Sequence, residues 1–370
     1  MNKFKIPLYK PEITKEEILN VNECLKSSWI SSKGKYLNEF ERLFSEYTKI
    51  KHSTAVVNGT AALHLALLGL NIKENDEVIV PTFTYVASVN AIRYVNAKPV
   101  FVDSSLNGWQ LDLDEVEKKI SSKTKAIICP HIYGQMTNMN KLNKLKKKHN
   151  LFLIEDCAES LGSFFQSKHS GNFSDVATFS FYGSKTITTG EGGMVCSNNK
   201  KIIDKITKLK LQGIASSNRS YWHDVIGYNY KMTNICAAIG VAQLNRIELI
   251  LKKKRNLYFK YLKELKDAPI KLQNENKDTI NSFWLVGGIT KNKTIRNSLM
   301  TFLNKCSVET RPGFYPIHTM PMYKRLNKSK FPAASKLGSN IICLPSSPDL
   351  SNKDVEYICN MIKKFFKNKS

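Results

Sequence analysis

Short apolar runs rich in valine and isoleucine alternate with amphipathic helical patterns over roughly the first 200 residues of the chain. Seven such runs are bounded by turn residues: STAVV (53–57), EVIVP (77–81), KPVFVD (98–103), KAIICPHIYG (125–134), NLFLIEDCA (150–158), DVATFSF (175–181) and GGMVCS (192–197). Buried parallel strands have this continuous apolar character, and helices lie between them in α/β proteins. The pattern therefore predicts an α/β fold built on a mostly parallel seven-stranded sheet.

The character of the chain changes near Asn245. A long lysine-rich helical pattern, NRIELILKKKRNLYFKYLKELK, begins there and leads into a mixed segment that ends in the helical pattern DVEYICNMIKKFFK. We therefore predict a large α/β domain over residues 1–245, which includes the N-terminal segment, and a smaller α+β domain over residues 246–370.

Composition narrows the class of protein. No apolar run reaches the length of a transmembrane helix, and the N-terminal MNKFKIPLYKP lacks the apolar core of a signal peptide, so we expect a cytoplasmic protein that does not contact the membrane. The eight cysteines are scattered, with no CxxC pair and no Cys/His cluster at zinc spacing. They predict reduced thiols and no metal site.

The net charge of +25 raises the question of nucleic-acid binding. Most of the excess comes from lysine in helical runs such as KLNKLKKKHN (141–150), whereas arginine is the preferred reader of phosphates and bases. We therefore expect solvated helix faces and no nucleic-acid partner. The excess charge can still steer anionic small molecules towards the protein.

Candidate chemistry follows the predicted strands, because ligands of open α/β sheets bind outside the carboxyl ends of the strands. After STAVV, Asn58, Gly59 and Thr60 open a helix, and its free N–H groups, hydroxyl and dipole suit a phosphate. The alternative is an ordinary helix start with Thr60 as N-cap. At the end of NLFLIEDCA stands Asp156, with Glu159 three residues on; a buried carboxylate there needs a partner, either a cationic ligand nitrogen or a backbone N–H.

The stretch FSFYGSKTITTGEGG (179–193) surrounds Lys185 with glycines and hydroxyls, in contrast to the charge-rich runs that hold most lysines of this chain. A lone lysine is usually a surface charge, but this setting favours a ligand-facing loop, and lysine forms Schiff bases with carbonyl compounds. Tyr85, after EVIVP, could stack on a flat ring or pack in the core. Phosphate, ring nitrogen, flat face and aldehyde together describe pyridoxal 5′-phosphate (PLP).

The segments NGTAALHLALLGL, DEVIVPTFTYVASVNAI, LFLIEDCAES and FSFYGSKTITTGEGGMV, in this order, resemble those of the DegT/DnrJ/EryC1/StrS family of sugar-nucleotide aminotransferases. The resemblance covers nearly the whole chain. It implies a fold-type-I PLP enzyme that forms a homodimer with its active sites at the subunit interface.

The resemblance also implies residue roles. Lys185 matches the Schiff-base lysine and Asp156 the partner of the pyridinium nitrogen, whereas family members that dehydrate their sugar carry histidine in place of this lysine. The other positions that match cofactor contacts are Gly59, Thr60 and Ser180 at the phosphate, Tyr85 on the ring, Glu159 near the cofactor hydroxyl, and Asn229, donated to the phosphate by the neighbouring subunit. Segments that line the substrate side contain Tyr9, Trp29, Lys33, Tyr315 and His318.

The implied activity is transfer of the amino group of L-glutamate to a ketone. Residues 29–41, 221–244 and 309–323 are most similar to family members that convert GDP-4-keto-6-deoxy-D-mannose to GDP-perosamine for surface polysaccharides. The chain departs from those members in YGSKT, at Gly313, in residues 211–222 and in the MTNMN turn (136–140). An alternative acceptor is therefore a small keto phosphate such as dihydroxyacetone phosphate, which would give serinol phosphate for capsule modification. A third hypothesis is a non-catalytic regulatory or binding protein of the same fold, which would not need the lysine and the aspartate together.

Overall fold

The computed structural model describes residues 4–215, 221–325 and 329–368. Its α-helices are α1 (Lys15–Ser27), α2 (Lys35–Thr48), α3 (Gly59–Gly69), α4 (Val86–Tyr94), α5 (Leu113–Lys119), α6 (Met139–Lys148), α7 (Lys200–Lys210), α8 (Asn234–Asn245), α9 (Ile247–Glu264), α10 (Lys293–Lys305), α11 (Pro321–Lys324), α12 (Pro332–Asn340) and α13 (Asn352–Lys367). Two short 3₁₀ turns span Ile132–Gly134 and Ile317–Thr319.

The strands form three sheets. In chain order they are β1 (His52–Val56), β2 (Glu77–Pro81), β3 (Lys98–Val102), β4 (Thr124–Pro130), β5 (Phe152–Asp156), β6 (Phe164–Phe165), β7 (Lys168–His169), β8 (Val176–Ser180), β9 (Gly193–Ser197), β10 (Lys271–Leu272), β11 (Thr279–Ile280), β12 (Val286–Ile289), β13 (Arg311–Pro312) and β14 (Ile341–Leu344).

The large sheet has the strand order β1-β9-β8-β5-β4-β2-β3. Strand β9 runs antiparallel to both of its neighbours, and all the other pairs are parallel. The prediction of an α/β fold with a mostly parallel seven-stranded sheet is confirmed, and all seven apolar runs are strands of this sheet.

Helices cover both faces of the large sheet. Helix α3 is apolar on all sides, and nearly every residue from Ala61 to Gly69 is buried between the sheet and its neighbouring helices, as expected of a central helix. On the other face, Phe40 and Phe44 of α2 pack edge to face against Phe179 and Phe181, which flank the end of β8. The end of β8 is therefore held firmly by aromatic packing.

The smaller sheet, β10-β12-β14-β13, is antiparallel and shares a core with α9, α10 and α13. The N-terminal segment joins this part of the molecule, because Ile6 forms a bridge with Val308. The junction of α8 and α9 coincides with the change in pattern near Asn245, and the division into domains at that point stays a prediction.

Strand β1 also points in the direction of the parallel strands, because β9 reverses direction between β1 and β8. The carboxyl ends of β1, β2, β4, β5 and β8 therefore meet at one edge of the sheet. At that edge Gly193, the first residue of β9, faces the backbone of Asn58, and a Cβ on Gly193 would lie 2.7 Å from the Asn58 carbonyl carbon. The close approach of these two segments requires a glycine.

Among helices of the described ranges, no single one is long and apolar enough to cross a membrane; α8 and α9 pass that test only together, and they are bent by 65° at their junction.

Candidate active site

A cavity of about 710 Å³ opens at the edge where the strand ends meet. Eight of the residues predicted from the sequence line it: Tyr9, Gly59, Thr60, Tyr85, Asp156, Glu159, Ser180 and Lys185. They come from the N-terminal segment and from the ends of β1, β2, β5 and β8, so the sheet topology alone brings most of them together.

Lys185 lies in the turn-rich segment between β8 and β9, where its N–H donates to the carbonyl of Tyr182 at 2.8 Å. Its side chain is only 14% exposed, and its Nζ lies 3.8 Å from Oε1 of Glu159 and 4.0 Å from the ring centroid of Trp284. Burial lowers the pKa of the amine, while the carboxylates of Glu159 and Asp156 oppose that shift. A desolvated lysine of this kind is more readily deprotonated, and the neutral amine is the nucleophile.

Glu159 has an unusually high pKa for a carboxyl group. It is buried, and burial raises its pKa to about 7 even though Lys185 and the N–H of Tyr133 favour the charged form. The N–H of Tyr133 donates to Oε2 of Glu159 at 2.8 Å. Tyr133 has a φ of 56°, in the left-handed region. A non-glycine residue in this region is strained, and such strain clusters at functional sites.

Asp156 ends β5 with its carboxylate facing the cavity. Oδ2 accepts the hydroxyl of Ser88 at 2.7 Å, and Oδ1 accepts the N–H of Ala158 at 3.1 Å. The backbone hydrogen bond that we considered as an alternative partner is therefore present. These two bonds fix the orientation of the carboxylate, and each oxygen keeps further acceptor capacity for a cationic nitrogen.

The start of α3 forms a cradle for an anion. Asn58 caps the helix, because its side chain accepts the N–H of Ala61 at 2.8 Å; the alternative with Thr60 as N-cap is wrong, since Thr60 lies inside the first turn. The first N–H groups of a helix have no partner within the helix. A Cβ on Gly59 would lie 2.8 Å from Cβ of Ser180, so the glycine lets the helix start approach the end of β8.

Tyr85 is exposed at the rim of the cavity, with 57% of its surface accessible, so it is not a core residue. Its ring lies 5.8 Å from that of Phe314 at an angle of 54°. An accessible aromatic face beside the cavity is available to a flat ligand.

Five predicted residues are not among those that line this cavity. Trp29 and Lys33 border a separate cavity of about 450 Å³. Asn229 is exposed in a segment that bridges to Leu211. Tyr315 is exposed, and His318 places Nδ1 2.7 Å from Oγ1 of Thr82. The roles assigned to these residues stay predictions.

The cavity also contains residues that the sequence did not single out. Trp284 lies over Lys185 and donates its Nε1–H to the carbonyl of Ser184 at 2.6 Å, while Arg311 and Phe314 line the wall formed by the smaller part of the molecule. Ser88, which holds Asp156, lies in α4. Because these residues approach the cavity only through tertiary packing, no local pattern could have identified them.

The described residues include a buried group of possible metal ligands, His131, Glu155 and Cys157, whose donor atoms lie within 4.8 Å of one another. Glu155 already accepts from the N–H groups of Gly171 and Phe173 and lies 3.0 Å from Nε2 of His131. Burial also raises the pKa of the Cys157 thiol, which disfavours the thiolate that metals require. The group is arranged as a hydrogen-bond network.

The cavity fits PLP on grounds that the structure itself provides. It offers an anion cradle at Gly59, Thr60 and Ser180, an oriented carboxylate at Asp156 and a buried amine at Lys185. These groups match a phosphate, a protonated ring nitrogen and an aldehyde.

Comparisons with known proteins agree with this geometry. The sequence pattern of the family described as the DegT/DnrJ/EryC1/StrS aminotransferase family matches residues 11–363. A GDP-perosamine synthase of Escherichia coli O157:H7 is 50% identical over 364 residues, which are 98% of this chain and 99% of that protein. A GDP-perosamine synthase of Vibrio cholerae is 49% identical over the same shares of the two chains.

Solved structures show the same fold. A putative sugar aminotransferase of Streptococcus pneumoniae, Spr1654 in its PLP form, superposes with a TM-score of 0.94 at 29% identity and covers 98% of this chain and 99% of that one.

Proposed function

Because the chain belongs to the DegT/DnrJ/EryC1/StrS aminotransferase family and is a PLP-dependent transaminase, we propose that it transfers the amino group of L-glutamate to GDP-4-keto-6-deoxy-D-mannose. The product is GDP-perosamine, a precursor for surface polysaccharides. The observation that supports this substrate most strongly is the identity of 49–50% with two GDP-perosamine synthases over nearly the full length of each chain.

Of the departures from those enzymes, YGSKT lines the cavity through Tyr182, Gly183 and Ser184, whereas Gly313 and the MTNMN turn do not. A Cβ on Gly313 would meet Cβ of Ile341 at 2.8 Å, so this position faces the core of the smaller part and not the cavity. In the MTNMN turn, Met136 and Met139 are buried in a core cluster beside the large sheet. Of the segment 211–222, residues 216–220 lie outside the described ranges. Because the identity with the two GDP-perosamine synthases extends over nearly the full chain, dihydroxyacetone phosphate is the weaker candidate, and it serves as the comparison substrate below.

We propose the chemical roles that the family resemblance implies, and the positions of the side chains support them. When bound, the cofactor supplies the carbonyl that takes the amino group and the ring that accepts electrons. Lys185 would bond through Nζ to the carbonyl carbon with loss of water and, once displaced by the donor amine, would carry the proton from the donor Cα to that carbon. Asp156 would keep the ring nitrogen protonated, and Glu159 would contact the cofactor hydroxyl.

The phosphate would be held by Gly59, Thr60 and Ser180, at the helix start and the end of β8. We propose a homodimer in which Asn229 of the partner subunit completes this cradle. The exposed position of Asn229, outside the lining of its own chain's cavity, supports that assignment. Tyr9, Trp29, Lys33, Tyr315 and His318 remain our candidates for the substrate side.

The function can be tested by the two half-reactions. Purified protein is converted to its amino form with L-glutamate, freed of excess donor, and mixed with either GDP-4-keto-6-deoxy-D-mannose or dihydroxyacetone phosphate. The visible absorbance of the aldehyde form should return with the nucleotide sugar.

Each other outcome of this experiment contradicts the proposal at a different level. Recovery with the small keto phosphate alone would contradict the substrate but keep the chemistry. No spectral change with L-glutamate would contradict the donor. Recovery with either acceptor in Lys185→Ala would contradict the role of the lysine.

A further inference from the structure

Lys254 is a buried lysine that the proposed reaction does not use. It lies in α9, its side chain is almost fully buried, and the hydrogen-bond partners of its Nζ in the described part of the chain are backbone carbonyls. Burying an unpaired lysine is costly, so its presence calls for a specific purpose.

The Nζ of Lys254 connects three segments that are far apart in the sequence. It donates to the carbonyl of Trp284 at 3.0 Å and to that of Ser346 at 3.1 Å, and it lies 5.0 Å from the ring centroid of Tyr9. Buried carbonyls need donors, and an ammonium within about 6 Å of an aromatic face is attracted to it.

Two of these segments hold Lys185 directly. The ring of Trp284 lies 4.0 Å from Nζ of Lys185, and its Nε1–H donates to the carbonyl of Ser184. The hydroxyl of Tyr9 donates to the carbonyl of Lys185 at 2.7 Å. Lys254 therefore contacts, through one atom, both of the aromatic residues that fix the position of Lys185.

We propose that Lys254 is a positioning residue, which holds Trp284 over the amine of Lys185 and Tyr9 against its backbone. The proposal rests on the function proposed above only in taking Lys185 as the reacting amine. It assigns a task to a helix that joins the two parts of the molecule and does not line the cavity.

The contacts, more than the charge, explain why a lysine occupies this position. Burial lowers the pKa of Lys254 to about 7, and the neutral amine can still donate to two carbonyls. Methionine has a similar shape and fills the same space but leaves the carbonyls of Trp284 and Ser346 without this donor. The loss should let the ring of Trp284 move away from Lys185.

The test measures the pH at which the amine of Lys185 becomes reactive. Full-length protein freed of cofactor is pulsed with acetic anhydride over a pH series, and mass spectrometry quantifies the acetylation of Lys185. A cation–π contact favours the ammonium, so weakening it should lower the midpoint by about 0.4 to 1.5 pH units. We expect this shift in Lys254→Met and in Trp284→Phe.

A third variant tests whether the two residues act together. If Lys254 acts through Trp284, the double variant Lys254→Met/Trp284→Phe should show about the shift of the larger single effect, and not the sum of the two. Additive shifts would overturn the proposal.

The matched control is Lys210, another buried lysine, whose Nζ donates to the carbonyl of Ala55 and lies 3.3 Å from Glu41. Lys210→Met should destabilise the protein but leave the midpoint of Lys185 at the wild-type value. A wild-type midpoint in Lys254→Met as well would show that Lys254 is only structural. The groups facing the amine, Glu159 and Asp156, are unchanged in every variant, as are His131, Glu191 and Arg311 of the cavity lining.

Lys254→Gln replaces the methionine variant if the latter does not fold. Its amide sits on a shorter stem and cannot reach both carbonyls, so the same downward shift is expected, and a wild-type midpoint would again overturn the proposal. Because acetylation requires no acceptor substrate, failure of this proposal is distinguishable from failure of the proposed function, which would appear as absent turnover of the nucleotide sugar by the wild-type protein.

Discussion

The contact between the start of α3 and the end of β8 predicts that Gly59→Ala weakens cofactor binding. The added Cβ would lie 2.8 Å from Cβ of Ser180, closer than real Cβ atoms approach, and 3.2 Å from its Oγ, which is a tight contact. Overpacking of this kind costs about 1–3 kcal/mol. The relief of the clash must separate the two halves of the anion cradle, so the cost should fall on the bound state.

If the whole cost appears in binding, the dissociation constant of PLP should rise roughly 5- to 150-fold. The assay is a titration of the cofactor-free protein with PLP, followed by the visible absorbance of the bound form. The matched control is Gly183→Ala in the same cavity lining, where a Cβ would meet no heavy atom within 4 Å. Wild-type affinity in Gly59→Ala, or equal losses in both variants, would refute the reasoning.

Three further predictions concern the carboxylates and the lysine. Lys185→Ala should lower transamination by at least about 10²- to 10⁴-fold, the usual worth of a proton-transfer group, with an unchanged circular dichroism spectrum; measurable turnover at the wild-type rate would exclude the assigned role. Asp156→Ala should slow both half-reactions roughly 10- to 1,000-fold in rapid-mixing experiments, because an adjacent carboxylate shifts protonation by about 1–3 pKa units; near-normal rates would mean that another group protonates the ring. Burial raises the pKa of Glu159 from 4.5 to about 7, so between these pH values the folded state binds more protons than the unfolded chain and stability falls as pH rises. Glu159→Gln should therefore gain, relative to wild type, on the order of 3 kcal/mol in the free energy of unfolding from about pH 4 to about pH 8, measured by urea denaturation without cofactor; an equal difference at both pH values would contradict this.

The sequence predicted the part of the site that depends on the sheet. Parallel strands place their carboxyl ends at one edge, so Asp156 after β5 and Ser180 at the end of β8 had to be neighbours once the apolar runs were identified as strands. The run lengths and the alternation with helices were sufficient for that identification. The resemblance of the motifs added the roles that geometry could not supply.

The remaining contacts depend on packing between distant segments. Trp284 and Arg311 belong to the smaller part of the molecule, and only its packing against the large sheet brings Trp284 to Lys185 and Arg311 to the cavity lining. The helix cap was placed at Thr60 for a different reason: asparagine and threonine are both good N-caps, and only the extended backbone of Asn58 and its bond to the N–H of Ala61 identify Asn58 as the cap. Asn229 does not line the cavity of this chain, and its role stays a prediction.

The reversed strand β9 has a consequence for the order in which the protein can become functional during synthesis. Gly193, which packs against the backbone of Asn58, follows it by more than a hundred residues in the sequence. Trp284, whose ring contacts Lys185, is translated later still. Chains emerge from the ribosome N-terminus first at about 5–20 residues per second, so the phosphate cradle stays incomplete for several seconds after its first half has appeared. A nascent chain that ends before β9 already contains Lys185 and Ser180 but lacks the strand that joins β1 to β8, so we expect cofactor loading to follow the translation of at least the large sheet.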